Sequence, residues 1–281
     1  MVVAIDGRRS LPTSPKRIPM NSNELTGTDG RPSVSALTDR EFWLKYWKSK
    51  KDLVFKIPPG YPFLSELDSL IGSRGIRTLL EIGGFPGYYS VWAHRPGVAA
   101  TLLDFVVHRP ILQELEKANQ VPEGTTGVIE ADIFKLHPDT TYDLVMSNGL
   151  IEHFYDTEDI IRRHSQFLKP GGTLFISLPN FRGLNGWFQK TFDPANYEKH
   201  NIGCMDPAYL QTVCRSIGLK NVEARYSGYF MLWLENLETQ PFWVRAFMKL
   251  TWFPIKVFFK IFPFNTRAFS PYIVVTAVKP E

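Results

Sequence analysis

A short glycine-rich stretch follows the hydrophobic run TLLEI. Glu81 lies near the end of this run, and Gly83, Gly84 and Gly87 come directly after it. Glycines at the exit of a buried strand allow the backbone to turn tightly and to approach a ligand without a Cβ in the way. A carboxylate ahead of them would repel a pyrophosphate, but it suits a ligand that carries an ammonium or sulfonium group. A purely structural tight turn is the alternative interpretation.

Two further acids end later hydrophobic runs. Asp104, about twenty residues past the glycines, stands where a carboxylate can bind two ribose hydroxyls. A helix-capping aspartate is the alternative for this residue. Asp132 follows the third run, in EADIF, where it can bind an adenine amino group while Ile133 covers the ring. Acids at the ends of three consecutive strands indicate a positively charged nucleoside more strongly than any one of them does.

The elements that position these residues alternate between strand and helix. Strands are predicted at TLLEIG, AATLLDFV, TTGVIEADIF, YDLVMSNGL, GTLFISLPN, NVEARYSGYF and, as a last edge strand, PYIVVTAVK. Helices are predicted at GYYSVWAHRPG, RPILQELEKANQ, MDPAYLQTVCRSIG and TEDIIRRHSQFLKPGG, the last of which is stopped by Pro170. The alternation predicts a parallel, doubly wound sheet, because parallel neighbours need crossover connections. Continuously apolar strands fit burial on both faces.

The order of these motifs resembles that of a known enzyme family. LLEIGGFPG, LLDF, EADIF, YDLVMSNGLIEHF and LKPGGTLFISLPN resemble the class I S-adenosylmethionine-dependent methyltransferases, especially the branch of ubiquinone-biosynthesis and related small-molecule methyltransferases. The resemblance covers about residues 76–230. In the family the loop reads acid-x-Gly-x-Gly-x-Gly, and this chain departs from it at Phe85, which stands at the middle glycine position.

The resemblance implies a Rossmann-like, mostly parallel sheet with an antiparallel last strand, plus helical additions. It also implies S-adenosylmethionine as the cofactor, with its methionine end near Glu81, its ribose at Asp104 and its adenine at Asp132. Phe85, together with Pro86, is expected to stiffen the loop and to shield the cofactor. The other residues expected at the cofactor are Gly83, Gly84, Gly87, Ile133, Asn148, Gly149 and Leu150.

A histidine next to the fourth predicted strand is a candidate catalytic residue. Methyl transfer from a sulfonium is an in-line displacement, so the main task of the enzyme is to position the acceptor. A hydroxyl or phenol acceptor also benefits from a nearby base. His153, in IEHF, is the candidate base because an imidazole titrates near neutrality. The alternative is that Glu152 and His153 only hold the loop to the neighbouring helix.

A second histidine belongs to an aromatic, irregular segment. Residues 181–203 follow the fifth predicted strand and are expected to form a lid over the methyl acceptor. His200, in NYEKHN, comes after LPN and before the next helix, which is similar to family members that act on lipids, quinones or sugars. We therefore expect His200 to contact the acceptor, and a hydrogen-bonded surface histidine is the alternative.

The composition and hydrophobic periodicity divide the chain into three predicted segments. Residues 1–37 are rich in Pro, Ser, Thr, Gly and Asn, have no hydrophobic period, and are predicted to be a disordered tail. Residues 38–75 are predicted to form an N-terminal helical cap, in which Thr38 caps the helix and Glu41 follows three residues later. Residues 76–281 are predicted to be the methyltransferase domain.

Residues 239–266 form an aromatic and basic insertion between the last two predicted strands. On a helix its four cations fall within about 60° of one another, while the remaining surface is apolar. This is typical of an interfacial helix on an anionic membrane, although Pro254 is expected to kink or divide it. A helical pair packed on the domain is the alternative. The cations are Arg245, Lys249, Lys256 and Lys260.

Composition narrows the class of protein. The net charge of +4 over 281 residues does not imply a nucleic-acid partner, and none is predicted. Cys204 and Cys214 give neither a disulfide framework nor a metal site, and no metal is predicted. The first residues lack the apolar core of a signal peptide, and no uncharged apolar run is long enough to cross a bilayer. A cytoplasmic protein is expected, with contact to an anionic membrane surface left open.

These patterns together predict S-adenosylmethionine-dependent methyl transfer to a small-molecule or lipid-like acceptor, through an oxygen atom. Two other functions stay open. An NAD(P)-dependent oxidoreductase has a similar fold, but the acid before the loop and the lack of G-x-G-x-x-G speak against it. A non-catalytic, membrane-associated binding protein is the second alternative.

Overall fold

The computed structural model describes residues 36–228, 230–262 and 264–281. Of the tail predicted for residues 1–37, all but Ala36 and Leu37 lie outside the described residues. The strands are β1 (Thr78–Ile82), β2 (Ala99–Asp104), β3 (Gly127–Glu130), β4 (Tyr142–Asn148), β5 (Leu168–Pro179), β6 (Lys220–Ser227) and β7 (Tyr272–Val278). The α-helices are α1 (Arg40–Ser49), α2 (Leu64–Arg74), α3 (Tyr88–Ala93), α4 (Arg109–Ala118), α5 (Thr157–Gln166), α6 (Leu184–Phe192), α7 (Pro194–Tyr197), α8 (Pro207–Ser216) and α9 (Phe242–Ile261).

The seven strands form one sheet in the order β3-β2-β1-β4-β5-β7-β6. Neighbours from β3 through β5 are parallel, whereas β7 is antiparallel to both β5 and β6. This confirms the predicted α/β class and the antiparallel last strand. The prediction that the last strand lies at the edge was wrong, because β7 lies between β5 and β6. Its side chains are mostly buried, as an interior strand requires, while β6 at the edge is largely exposed.

Both faces of the sheet are covered by helices. Successive residues of a strand point to opposite faces, and β1 shows this directly. Leu79 packs in the cluster that includes Leu112 of α4, whereas Leu80 packs in the cluster that includes Ile160 of α5. Burial on both faces explains why the central strands are continuously apolar.

Helix α1 is capped one residue later than predicted. The side chain of Asp39, not Thr38, accepts a hydrogen bond from the backbone N–H of Phe42, at 2.7 Å. Aspartate ranks above threonine as an N-cap. The hydroxyl of Thr38 instead accepts a hydrogen bond from the indole N–H of Trp43, at 3.1 Å.

The boundary between α5 and β5 also differs from the prediction. Helix α5 ends at Gln166, and β5 already begins at Leu168, so Pro170 lies in the strand and does not stop the helix. The strand starts early because the carbonyl of Phe167 accepts a hydrogen bond from the backbone N–H of Tyr142 in β4.

The segment 181–203, expected to be irregular, is largely helical. It contains α6 and α7, and the side chain of Asp193 caps α7 by accepting a hydrogen bond from the backbone N–H of Asn196. The carboxylate of Asp193 also accepts from the backbone N–H of Glu235, which ties this segment to the chain that precedes α9.

Candidate active site

One cavity of about 380 Å³ lies at the carboxyl ends of β1 and β4. These two strands are neighbours in the sheet, and the strand order reverses between them, which is where open α/β sheets bind ligands. The floor of the cavity includes the loop after β1 and the turn after β4. Aromatic residues of α1 and the segment 181–203 form its cover. The predicted site residues that line it are Glu81, Gly83, Gly84, Phe85, Asn148, Gly149, His153 and His200.

The loop after β1 requires glycines for two reasons, the conformation of its backbone and the close packing around it. Gly83 and Gly87 have backbone φ angles of +64° and +97°, which favour glycine. A Cβ at Gly83 would lie 2.5 Å from Cδ1 of Leu150, and a Cβ at Gly84 would overlap the carboxyl group of Glu81. Leu150 and Gly87 therefore shape the loop without lining the cavity.

Glu81 is buried at the wall of the cavity, with 1% of its surface exposed. Its Oε2 atom accepts hydrogen bonds from the backbone N–H and the hydroxyl of Ser90, at 2.7 and 2.6 Å. Burial raises the pKa of Glu81 to about 7, although the hydrogen bonds from Ser90 act in the opposite direction. A nearby cation would favour the charged carboxylate, so this wall is suited to a positively charged ligand.

Both carboxylate oxygens of Asp104 accept hydrogen bonds from nearby backbone N–H groups. One oxygen accepts from the backbone N–H of Phe85 at 2.9 Å, and the other accepts from that of Val106 at 3.0 Å. Burial raises the pKa of Asp104 to about 6. The structure does not bring Asp104 to the cavity, nor does it bring Asp132 or Ile133 there. Their roles at the ribose and adenine stay predictions.

Phe85 connects the glycine loop to the N-terminal helix. Its side chain is buried, and its ring lies against those of Trp47 and His108, with centroids 5.2 and 5.7 Å apart. The aromatic residues of α1 were missed as site residues by sequence reasoning. Their clustering in EFWLKYWK was the signal, but nothing in the sequence indicated which surface they cover. Those that line the cavity are Phe42, Trp43, Tyr46 and Trp47.

The turn after β4 is held by β5. Ser177 of β5 donates its hydroxyl proton to Oδ1 of Asn148 at 2.6 Å, and its carbonyl accepts from the backbone N–H of Gly149 at 2.9 Å. Gly149 has a φ of +69°, which turns the chain into the short 3₁₀ turn Ile151–His153.

The structure brings His153 and His200 together, with ring centroids 4.8 Å apart. Nδ1 of His153 donates to the carbonyl of Lys199 at 3.0 Å, and Nδ1 of His200 donates to that of Asn196 at 2.7 Å. A carbonyl can only accept, so each Nδ1 carries the hydrogen and each Nε2 keeps its lone pair. Among the described residues, neither Nε2 has a hydrogen-bond partner.

Both imidazoles are held neutral. Burial lowers the pKa of His153 to about 3, and the neighbouring His200 acts in the same direction. Burial also lowers the pKa of His200. An imidazole of this kind offers a lone pair at pH 7 but does not readily take up a proton, because the buried cation is poorly solvated.

Glu152 completes this corner of the cavity and was not predicted as a site residue. It is buried, burial raises its pKa to about 8, and its Oε2 atom has no hydrogen-bond partner among the described residues. Besides the side-chain hydrogen bond of His153 to Lys199, main-chain hydrogen bonds hold this turn in place. The carbonyl of Glu152 accepts from the backbone N–H of Asn201, and that of His153 accepts from Leu37.

Helix α9 packs on the domain by one face and exposes an apolar face to the outside. Val244 is fully buried, whereas Leu250 and Phe253 are 74% and 66% exposed. Arg245 and Lys249 are also exposed. The rings of Trp187 on α6 and Trp243 on α9 both lie against the ring of Phe192, and we call the exposed apolar residues of these two helices the apolar patch. It consists of Leu184, Trp187, Trp243, Phe247, Leu250 and Phe253.

Pro254 does not divide this insertion, contrary to the prediction. Helix α9 is continuous over 20 residues, and the other outcome expected of this proline, a kink, stays a prediction. The side chains of Lys256 and Lys260 lie outside the described part of the chain. No helix within the described residues is long and apolar enough to span a bilayer.

The sequence matches a protein family described as a methyltransferase domain, over residues 46–224, which is more than half of the chain. The chain belongs to this methyltransferase family. It carries an S-adenosylmethionine-dependent methyltransferase domain, as the motif order predicted. The match covers the glycine loop, the turn after β4 and the segment 181–203, and it leaves the NAD(P)-dependent oxidoreductase hypothesis without support.

Similar proteins include a curated relative and several solved structures. The malonyl-[acyl-carrier protein] O-methyltransferase of Priestia megaterium (strain DSM 319 / IMG 1521) is 30% identical over 127 residues, which are 44% of this chain and 43% of that relative. The match thus spans less than half of the length of the relative.

Two structures of methyltransferases share the fold at low sequence identity. Phosphoethanolamine N-methyltransferase 2 from Haemonchus contortus, solved with phosphomonomethylethanolamine and S-adenosylhomocysteine, has a TM-score of 0.54 at 16% identity, covering 89% of this chain and 62% of that one. An O-methyltransferase family protein from Burkholderia thailandensis has a TM-score of 0.50 at 16% identity, covering 78% and 56%.

Proposed function

We propose that this protein transfers a methyl group from S-adenosylmethionine to an oxygen atom of a small or lipid-like acceptor. The observation that carries the proposal is that two neutral imidazoles, His153 and His200, line the same cavity as Glu81 and the glycine loop. The cofactor then lies on the loop side of the cavity, and the acceptor lies on the histidine side.

The loop side suits the charge of the cofactor. S-adenosylmethionine carries an ammonium and a sulfonium group, and a buried carboxyl such as that of Glu81 becomes charged when a cation approaches it. Gly83 and Gly84 let the loop pack closely against Leu150 and Glu81, which keeps the carboxyl group of Glu81 at the wall of the cavity. Asp104 contributes by accepting a hydrogen bond from the backbone N–H of Phe85, which fixes the loop on this side of the cavity.

The histidine side suits a hydroxyl acceptor. Each free Nε2 can accept a hydrogen bond from a hydroxyl group and orient its oxygen for in-line attack on the methyl carbon. A curated relative of this chain is a malonyl-[acyl-carrier protein] O-methyltransferase, which also uses an oxygen acceptor according to its name. That match supports transfer to oxygen.

A lipid-like acceptor is supported by the surface beside the lid. The apolar patch runs from α9 onto α6, which belongs to the segment 181–203 that covers the cavity. Arg245 and Lys249 flank the patch and can attract anionic headgroups, while exposed aromatic side chains enter the acyl boundary. An acceptor with an apolar tail could therefore pass from a membrane surface to the cavity.

The reaction can be tested with labelled cofactor. We expect purified protein, incubated with cell extract and S-adenosylmethionine labelled in the methyl group, to yield a product in which the label sits on oxygen. His153→Ala should reduce turnover at least tenfold while the affinity for S-adenosylhomocysteine stays within twofold. His137→Ala, at an exposed loop position, is the matched control.

Two outcomes would contradict the proposal. A product labelled on nitrogen or carbon would overturn transfer to oxygen. Binding of S-adenosylhomocysteine without transfer to any component of the extract would favour the non-catalytic binding protein.

A further inference from the structure

We propose that Glu152, His153 and His200 form a binding site for one divalent transition-metal cation. One carboxylate oxygen and one nitrogen of each ring lie within 4.8 Å of one another. The binding of the metal is independent of the proposed function, whereas its use in methyl transfer, argued below, rests on it. No metal was predicted from the sequence, in which His200 is far along the chain from the other two residues.

The distances suit a shared ion after small side-chain rotations. Ligand atoms bound to one metal at about 2.1 Å lie roughly 3–4 Å from one another. Two imidazoles and one carboxylate form a facial set that leaves coordination positions open, and imidazole nitrogen favours transition metals over magnesium or calcium. The ligands come from the turn after β4 and from the lid, so the cation would join these two segments.

The histidines are already oriented as metal ligands. Metal-binding histidines typically donate the hydrogen of one ring nitrogen to a carboxylate or backbone carbonyl, which fixes the tautomer and directs the other nitrogen at the ion. His153 and His200 both make this contact through Nδ1, to the carbonyls of Lys199 and Asn196. The packing of a loop does not by itself require two adjacent imidazoles in the same tautomer. In both rings the Nε2 atom has no hydrogen-bond partner among the described residues.

The side chain of Glu152 provides a second, independent observation in favour of a bound cation. Its side chain is 1% exposed, and its Oε2 atom is buried without a hydrogen-bond partner among the described residues. A buried carboxyl group normally has its oxygens satisfied, since leaving one unpaired costs about 1–3 kcal/mol. A cation bound by this oxygen would satisfy it and would balance the negative charge.

The open positions of the cation would face the cavity, where the acceptor is expected. A hydroxyl oxygen bound to the cation releases its proton to solvent more readily, because the metal stabilises the anion. That oxygen then forms a bond to the methyl carbon while the carbon–sulfur bond breaks. The sulfur keeps the electron pair, so the cofactor leaves as neutral S-adenosylhomocysteine. In this arrangement the cation, and not an imidazole, activates the acceptor.

The site can be tested without any acceptor. We expect tag-free protein, treated with a chelator and then dialysed, to bind one equivalent of Zn²⁺ in calorimetry. Co²⁺, used as a spectroscopic probe, should give visible absorption bands of a low-symmetry site with nitrogen and oxygen ligands. Glu152→Gln and His200→Gln should each weaken Zn²⁺ binding at least tenfold. His137→Gln, an exposed histidine outside the cavity, should bind Zn²⁺ as the wild type does.

The folding of each variant is checked by near-ultraviolet circular dichroism, and a misfolded variant is replaced by His200→Asn. The proposal is overturned if Zn²⁺, Mn²⁺ and Co²⁺ all fail to bind at millimolar concentration. It is equally overturned if folded Glu152 and His200 variants bind as tightly as the wild type. Loss of metal binding with a retained affinity for S-adenosylhomocysteine separates this site from the cofactor site of the proposed function.

Discussion

The ring of Phe85 stands edge-on against the ring of Trp47, with centroids 5.2 Å apart and an interplanar angle of 74°. This contact joins the glycine loop to the helix that covers the cavity. The one position where the loop departs from the pattern of class I methyltransferases is therefore also a position that contacts α1. A glycine at this position would leave the loop open but would remove the anchor for the cover.

Replacing Phe85 by alanine should loosen that cover. Removing a buried phenylalanine from a packed site typically costs about 3–5 kcal/mol. We expect the free energy of unfolding to fall by this amount in urea denaturation, and α1 to become more accessible to protease. Phe253→Ala, on the exposed face of α9, should change stability by less than about 0.5 kcal/mol. Equal effects of the two changes would show that Phe85 does not anchor the helix.

Gly84→Ala should disturb Glu81 directly, because the added Cβ would overlap its carboxyl group. We expect at least a tenfold loss of affinity for S-adenosylhomocysteine in calorimetry. Gly72→Ala is the matched control, since Gly72 lies in α2 with no atom near its Cβ position. Alanine in a helix interior stabilises by roughly 0.5–1 kcal/mol, so the control should bind normally and be slightly more stable. Unchanged affinity in Gly84→Ala would mean that the loop does not bind the cofactor.

The burial of Glu81 should make stability depend on pH. The pKa of Glu81 is about 7 in the folded protein and 4.5 in the unfolded chain, so the folded state holds one more proton between these pH values. Glu81 should therefore contribute a loss of stability as pH rises from about 4.5 to about 7. Asp104 contributes in the same direction up to about pH 6, and Glu152 does so up to about pH 8. Burial lowers the pKa values of His153 and His164, so these two groups make stability rise with pH up to about 6.5.

Denaturation at pH 5, 6, 7 and 8 measures this effect. Between pH 5 and pH 7, Glu81→Gln should lose less stability, or gain more, than the wild type, because the other buried groups contribute equally to both proteins. Glu114→Gln, on the exposed face of α4, controls for the removal of one negative charge. If the wild type and Glu81→Gln lose stability in parallel over this range, Glu81 does not titrate as its burial indicates.

The cations beside the apolar patch should strengthen contact with anionic vesicles. Each basic residue near such a surface contributes about 1 kcal/mol. The double change Arg245→Gln and Lys249→Gln should therefore weaken co-sedimentation with phosphatidylserine vesicles by about 30-fold. Arg215→Gln with Lys220→Gln, at exposed positions of α8 and β6, removes the same charge elsewhere. Equal binding by both variants would contradict a membrane role for the patch.

Local patterns predicted the fold with good accuracy. The apolar runs of β1, β2, β4 and β5, and the amphipathic helices between them, follow from periodicity over about ten residues. The turn after β1 could also be predicted from the sequence, because local sterics decide the backbone conformation at Gly83 and Gly87. Two errors concerned element boundaries. Thr38 was expected to cap α1, which Asp39 does, and Pro170 was expected to end α5 but lies in β5.

The remaining features depend on contacts between distant parts of the chain. Nothing near Pro254 shows that α9 continues through it, and nothing near PYIVVTAVK shows that β7 enters the sheet between β5 and β6. Likewise, the sequence marked His153 and His200 separately, but it did not pair them or add Glu152. These outcomes depend on which surfaces pack together, and the free energy of packing is not encoded within any one short segment.

The sequence by itself determined a doubly wound sheet with acids and glycines at the carboxyl ends of its strands, because strand period and turn sterics are local properties. Only the tertiary structure decided that α1 covers those glycines through Phe85 and Trp47. It also placed the two histidines and Glu152 close to one another, since their side chains meet only where the segment 181–203 packs against the turn after β4.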